Sequence, residues 1–108
     1  VCVNGWLYLS GQIPVDPAIG EVVKGDFKTR VTRVLENIKA IIEATGGKLE
    51  DVVKVTVYLK DMGKFTEFNE VYSKYFSENP PARSVVGVSD LPRGVDLEVD
   101  VVAYTGTC

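Results

Sequence analysis

Histidine is absent from this 108-residue sequence. That absence removes Ser-His and Cys-His catalysis and the usual zinc sites. Cysteine is nearly absent. Its two occurrences, Cys2 and Cys108, stand at opposite ends of the sequence, so there is no CxxC-type metal site and no disulfide framework. Both read as free thiols, with a bridge between the two ends as the alternative if the first and last strands meet. An excess of positive charge is also lacking: Lys and Arg number 12 against 15 Asp and Glu, a net charge of -3. No broad cationic field is available to attract phosphates. No apolar run approaches the roughly 20 residues of a bilayer-crossing helix, and no basic segment precedes an apolar one at the start. The expectation is a cytoplasmic protein with neither membrane nor nucleic acid as partner.

What is present suffices for one core. Hydrophobic residues make up 45% of the chain, and the length is that of one domain, expected over residues 1–108. Trp6 to Ser10 reads as a strand, Gly11 to Gly20 as a turn-rich loop with Pro14 and Pro17, and Glu21 to Lys24 as a short return strand. From Phe27 the apolar positions Val31, Val34, Leu35, Ile38, Ile41 and Ile42 recur at helical spacing. Asp26 caps that helix, and Gly46 with Gly47 ends it. Val53, Val55, Val57 and Leu59 alternate with polar residues, the period of a strand. Phe65, Phe68, Val71, Tyr72, Tyr75 and Phe76 mark a second helix stopped by Pro80 and Pro81. Strands follow at Arg83 to Ser89 and Val95 to Tyr104, separated by a turn at Leu91 to Gly94.

Strands alternating with two helices predict an α+β fold, a mixed sheet with both helices on one face. The other face carries a surplus. Val52, Thr56, Tyr58, Val86, Val88, Val102 and Tyr104 are expected there, more apolar surface than a monomer leaves wet, which points to symmetric self-association.

Without histidine, chemistry falls to arginine, carboxylates, hydroxyls and backbone amides. Arg83 follows two prolines at the start of a strand, a rigid mount for a planar cation whose fork matches a carboxylate. The same placement also suits a strand-end arginine paired with a surface acid. Glu98 lies between Asp96 and Asp100, all expected on one face of the last strand. That run is either a solvated edge or, in a cleft, a carboxylate crowded into the range of general acid–base work. Asn69 stands on the second helix, and Ser10-Gly11 ends the first strand, where glycine permits close backbone approach.

Leu7-Tyr8-Leu9-Ser10-Gly11-Gln12-Ile13-Pro14, Val34-Leu35-Glu36-Asn37-Ile38, Lys54-Val55-Thr56-Val57-Tyr58-Leu59-Lys60-Asp61-Met62, Phe68-Asn69-Glu70-Val71-Tyr72 and Pro81-Ala82-Arg83-Ser84 together resemble the Rid (YjgF-type) family of reactive intermediate deaminases. The resemblance covers essentially the whole chain. It implies a chorismate-mutase-like fold of the bacillus type, a homotrimer with ligand clefts between subunits, and hydrolysis of 2-imino and enamine acids to 2-oxo acids without metal or organic cofactor. It makes Arg83 the carboxylate-binding residue and Glu98 the residue that positions the attacking water. Ser10, Gly11 and Asn69 match positions lining the cleft. Val85 stands where the family often has cysteine: if only its backbone amide touches the ligand the change is harmless, whereas any role for the thiol is lost. The family's Gly-Pro-Tyr-Ser-Gln segment does not precede Val1 in this sequence, and the expectation is a domain lacking it. A 2-oxo-acid sensor without turnover and an endoribonuclease or translation inhibitor are the competing readings.

Overall fold

The computed structural model describes residues 1–108. In chain order the elements are β1 (Cys2–Val3), β2 (Trp6–Gln12), β3 (Val15–Asp16), β4 (Glu21–Val22), α1 (Phe27–Ala44), β5 (Val52–Leu59), α2 (Phe65–Tyr75), β6 (Ala82–Gly87) and β7 (Leu97–Tyr104). α1 buries Phe27, Val31, Val34, Leu35, Ile38 and Ile42, the apolar stripe that its spacing dictates. The Asp26 carboxylate accepts the Thr29 N–H at 2.8 Å, which satisfies one of the free amides of the first turn. At the other end Gly46 takes a φ of +90° and the Gly47 N–H returns to the Ile42 carbonyl, the left-handed closure that glycine allows. α2 buries Phe68, Val71 and Tyr72 in the same way.

The main sheet has the order β1-β2-β7-β5-β6. β5 and β6 run parallel and every other pair is antiparallel. A parallel pair needs a crossover, and α2 supplies it, packing back onto the sheet beside α1. Alternation then sorts the strands into two faces. Leu7, Leu9, Val55, Val57, Leu59, Leu97, Val99, Val101 and Ala103 meet the helices and are buried. Tyr8, Thr56, Tyr58, Val86, Glu98, Asp100, Val102 and Tyr104 occupy the opposite face, which no element of this chain covers. Tyr8 and Tyr104 are each about half exposed there.

Three expectations need correction. Val52 belongs to the buried core, because the β5–β7 register shifts between Val52 and Lys54. One extra residue at Val53 reverses the parity of everything before it, so Val53 is the exposed one. Asp96 does not stand with Glu98 and Asp100. It precedes β7, and its carboxylate is held by Arg30 of α1 at 2.5 Å. Finally, Cys2 and Cys108 are joined in a disulfide, not free. β1 pairs with β2 and β2 with β7, and beyond β7 the Thr105 and Gly106 amides donate to the Gly5 carbonyl while the Gly5 amide donates to Cys108. Those bonds bring the two Cα atoms to 5.9 Å, within bridging range. Val88 lies just past β6, its amide bonded to the Leu59 carbonyl at 2.9 Å.

Candidate active site in two halves

Arg83 sits one residue into β6, immediately after Pro80, Pro81 and Ala82. Its register partner is Val55, a core residue, so its side chain leaves the sheet on the helix side. There α2 receives it. One terminal N–H donates to Asn69 Oδ1 at 2.6 Å, and the guanidinium carbon lies 4.7 Å from the Tyr72 ring centroid and 5.5 Å from that of Phe65. Aromatic faces attract a cation and fix its plane without consuming its donors. No carboxylate of the chain pairs with Arg83, so it is not a strand-end arginine matched to a surface acid. Its remaining N–H groups have no partner in the chain, and it borders a groove of about 730 Å³ lined also by Phe65, Thr66, Asn69, Ser73 and Pro81. Glu70, at the same groove, is engaged by Lys28 of α1 at 2.5 Å. Val85, two residues along β6, faces the same side and packs against the core.

The second half lies on the opposite face. The β2–β7 register shifts between Leu9 and Gln12, and in that irregularity Gly11 adopts a φ of +66°, a conformation that glycine takes at little cost. The turn carries the Gly11 N–H onto Asp100 Oδ1 at 2.6 Å. The other oxygen of Asp100 accepts the Tyr58 hydroxyl at 3.0 Å. Glu98 is Tyr58's direct register partner across β5 and β7. A Cβ added to Gly11 would stand 3.5 Å from Glu98 Oε1, so the turn lies over that carboxylate. Burial, and then the neighbouring Asp100 charge, push the Glu98 carboxyl above the ordinary glutamate range. The bond to Asp100 raises the Tyr58 phenol in turn. Ser10 is exposed beside the turn, its carbonyl accepting Gln12 Nε2 at 3.3 Å.

The structure therefore unites Arg83 with Asn69, and Gly11 with Glu98, but it does not unite the two pairs. Arg83 points toward the helices from the edge strand, Glu98 points away from them, and β5 runs between β6 and β7. Sequence reasoning foresaw Asp100 crowding Glu98 but missed three contributors: Phe65 and Tyr72 beneath Arg83, and Tyr58 beside Asp100. Strand parity placed Tyr58 and Asp100 on one face. That they share hydrogen bonds depends on the register shift in β2, which no local pattern announces.

The fold and these clusters define a class first: an α+β domain with a mixed five-stranded sheet, two helices on one face and an uncovered opposite face. Its family follows from comparison with known proteins. The family described as Endoribonuclease L-PSP matches residues 1–105, and the chain belongs to that family, the YjgF/RutC/Rid family. A RutC family protein of Pyrococcus horikoshii is 58% identical over 101 residues, covering 94% of this chain and 80% of that protein. RidA from the Antarctic bacterium Psychrobacter sp. superposes with a TM-score of 0.92 at 45% identity, covering 96% of this chain and 84% of that one. Yeast Mmf1 gives a TM-score of 0.92 at 43% identity, covering 96% and 82%.

Proposed function

We propose that this protein hydrolyses reactive 2-imino and enamine acids, such as 2-aminoacrylate and 2-iminobutanoate, to 2-oxo acids and ammonia. It acts as a homotrimer of chorismate-mutase-like subunits with its clefts between neighbours. The observation that carries the reading is Arg83: a guanidinium steadied by Asn69 and two aromatic rings, with no acid of its own chain to neutralise it. A charged fork with free donors, at the edge of a groove, suits a small carboxylate. The division of the site supports assembly, since Glu98 of one chain reaches Arg83 only when a neighbouring chain provides it. The uncovered face, with Trp6, Tyr8, Val86 and Tyr104 exposed, is the surface such assembly would bury.

In the cleft Arg83 binds the substrate carboxylate and so places C2 of the imine within reach of a water on Glu98. As the C–O bond forms, Glu98 takes a proton from that water. It then returns the proton to nitrogen. The carbinolamine hydroxyl then gives its proton through Glu98 to the amino nitrogen as the C–N bond breaks, and 2-oxo acid and ammonia leave. A carboxyl whose proton affinity lies above the ordinary glutamate value is suited to both transfers. The nuclease reading fares worse, because the chain has no His and a net charge of -3.

The test is to generate 2-iminobutanoate from L-Thr with a dehydratase, trap surviving imine with semicarbazide, and compare wild type with Arg83→Ala. Wild type should diminish the trapped product, and the variant should lose at least about a hundredfold of that effect, the scale of a lost charge-assisted contact in the transition state. A wild type that binds 2-oxobutanoate without consuming imine would identify a sensor instead.

A further inference from the structure

The reading above gives Glu98 a role and leaves Asp100 without one, yet Asp100 is the better connected of the two carboxylates. It accepts the Gly11 amide at 2.6 Å on one oxygen and the Tyr58 hydroxyl at 3.0 Å on the other. Glu98, two residues away on the same strand face, accepts no hydrogen bond within the chain. Two carboxylates side by side, one supplied with donors and the other denied them, is the arrangement that separates a fixed anion from a proton-exchanging partner.

Within the chain the other charges near the pair are already committed, and in the proposed cleft the one further charge facing Glu98 is the Arg83 guanidinium of the neighbouring copy. On β7's own side, Asp96 is held by Arg30 of α1. On β5, Tyr58 faces Glu98 as a neutral phenol, Lys54 donates to Ser84 at 2.8 Å, and Lys60 beyond the strand pairs with Asp90 at 3.9 Å. β6 offers Val86 in that row, and β2 offers only the Gly11 turn. Nothing within the chain neutralises Asp100 except its two donors.

We propose, on the basis of the function just argued, that Asp100 is a positioning residue: clasped by Gly11 and Tyr58, it fixes the glycine turn over Glu98 and makes Glu98 the member of the pair that exchanges the proton. Tyr58 acts through Asp100, as the clamp that keeps its second oxygen from turning toward Glu98. The upward displacement of the Glu98 carboxyl, caused by burial and then by Asp100, agrees with this geometry.

The experiment reads Glu98 directly, by following its side-chain carboxyl carbon through a pH titration of the whole labelled protein by NMR, together with exchange of the Gly11 amide and the pH profile of imine hydrolysis. In Asp100→Asn the Glu98 titration should move to lower pH, and the ascending limb of the rate profile should move with it. Tyr58→Phe keeps the negative charge, so the Glu98 titration should stay raised while Gly11 amide exchange accelerates. A purely structural role would leave both the titration and the rate profile in place. A Glu98 titration unmoved in Asp100→Asn overturns the proposal. If that variant does not fold, Tyr58→Phe carries the test, and unchanged Gly11 exchange there overturns it too. A wild type that shows the raised Glu98 titration but hydrolyses no imine overturns the function and leaves the carboxylate pair standing, because the titration needs no substrate.

Discussion

Replacing Cys2 by Ser, or reducing the protein, opens a covalent loop that closes over almost the whole chain: the bridged residues are 106 positions apart. A crosslink acts mainly on the unfolded ensemble, and its chain-entropy contribution grows with the logarithm of the loop. For a loop of this length that contribution is about 4.8 kcal/mol at 25 °C. Set against the roughly 5–15 kcal/mol by which a domain of this size is stable, it amounts to a third or more of the total. At about 4 °C per kcal/mol for a domain near 100 residues, Tm should fall by about 20 °C. The effect is assayed by guanidinium unfolding of oxidised protein, reduced protein and Cys2→Ser at one fixed protein concentration, because the proposed self-association would also shift the midpoint. The reduced and substituted forms should coincide, with a lower midpoint and a larger m-value, since an uncrosslinked unfolded chain exposes more surface. Equal midpoints for oxidised and reduced protein would refute the reasoning. Such a result would mean that the Gly5–Cys108 and Thr105–Gly5 hydrogen bonds already hold the ends together in the unfolded ensemble.

Glu98→Gln should flatten the dependence of stability on pH. Unfolding relieves both causes that raise the Glu98 carboxyl, so its contribution is full below the ordinary glutamate value of 4.5 and is lost as pH rises through the higher folded value. Urea midpoints between pH 4 and 8 should therefore decline more steeply for wild type than for the variant. Phe68→Ala empties a fully buried site whose ring lies 5.4 Å from that of Tyr72, and equilibrium unfolding should register a loss of about 3–5 kcal/mol. Gly11→Ala forces a side chain to φ +66°, a cost of about 1–2 kcal/mol in denaturation. Its Cβ would also stand 3.5 Å from Glu98 Oε1, so the proposed imine hydrolysis should fall further than that stability loss accounts for.

Helices were the most legible part of the sequence because their stripes are long and their ends are marked. Asp26 caps α1 where its side chain and position required, and Gly46 ends it. Strands were legible in place but not in phase, since one bulge at Val53 moved Val52 into the core. The disulfide was illegible for a different reason. It depends on β1 pairing with β2 and on the segment beyond β7 bonding to Gly5, a meeting of residues a hundred positions apart. In the candidate site, prolines ahead of a strand pointed to Arg83, and alternation put Glu98 with Asp100. The side from which Arg83 leaves the sheet was hidden, because it follows from β6 pairing in parallel with β5 and from Val55 being core.

Arg83 and Glu98 lie on opposite sides of one sheet, so under the proposed function a newly synthesised chain would be inert until it met its copies. Specific activity would then report how many chains a cell has made. Dilution alone would silence an abundant protein, without any inhibitor.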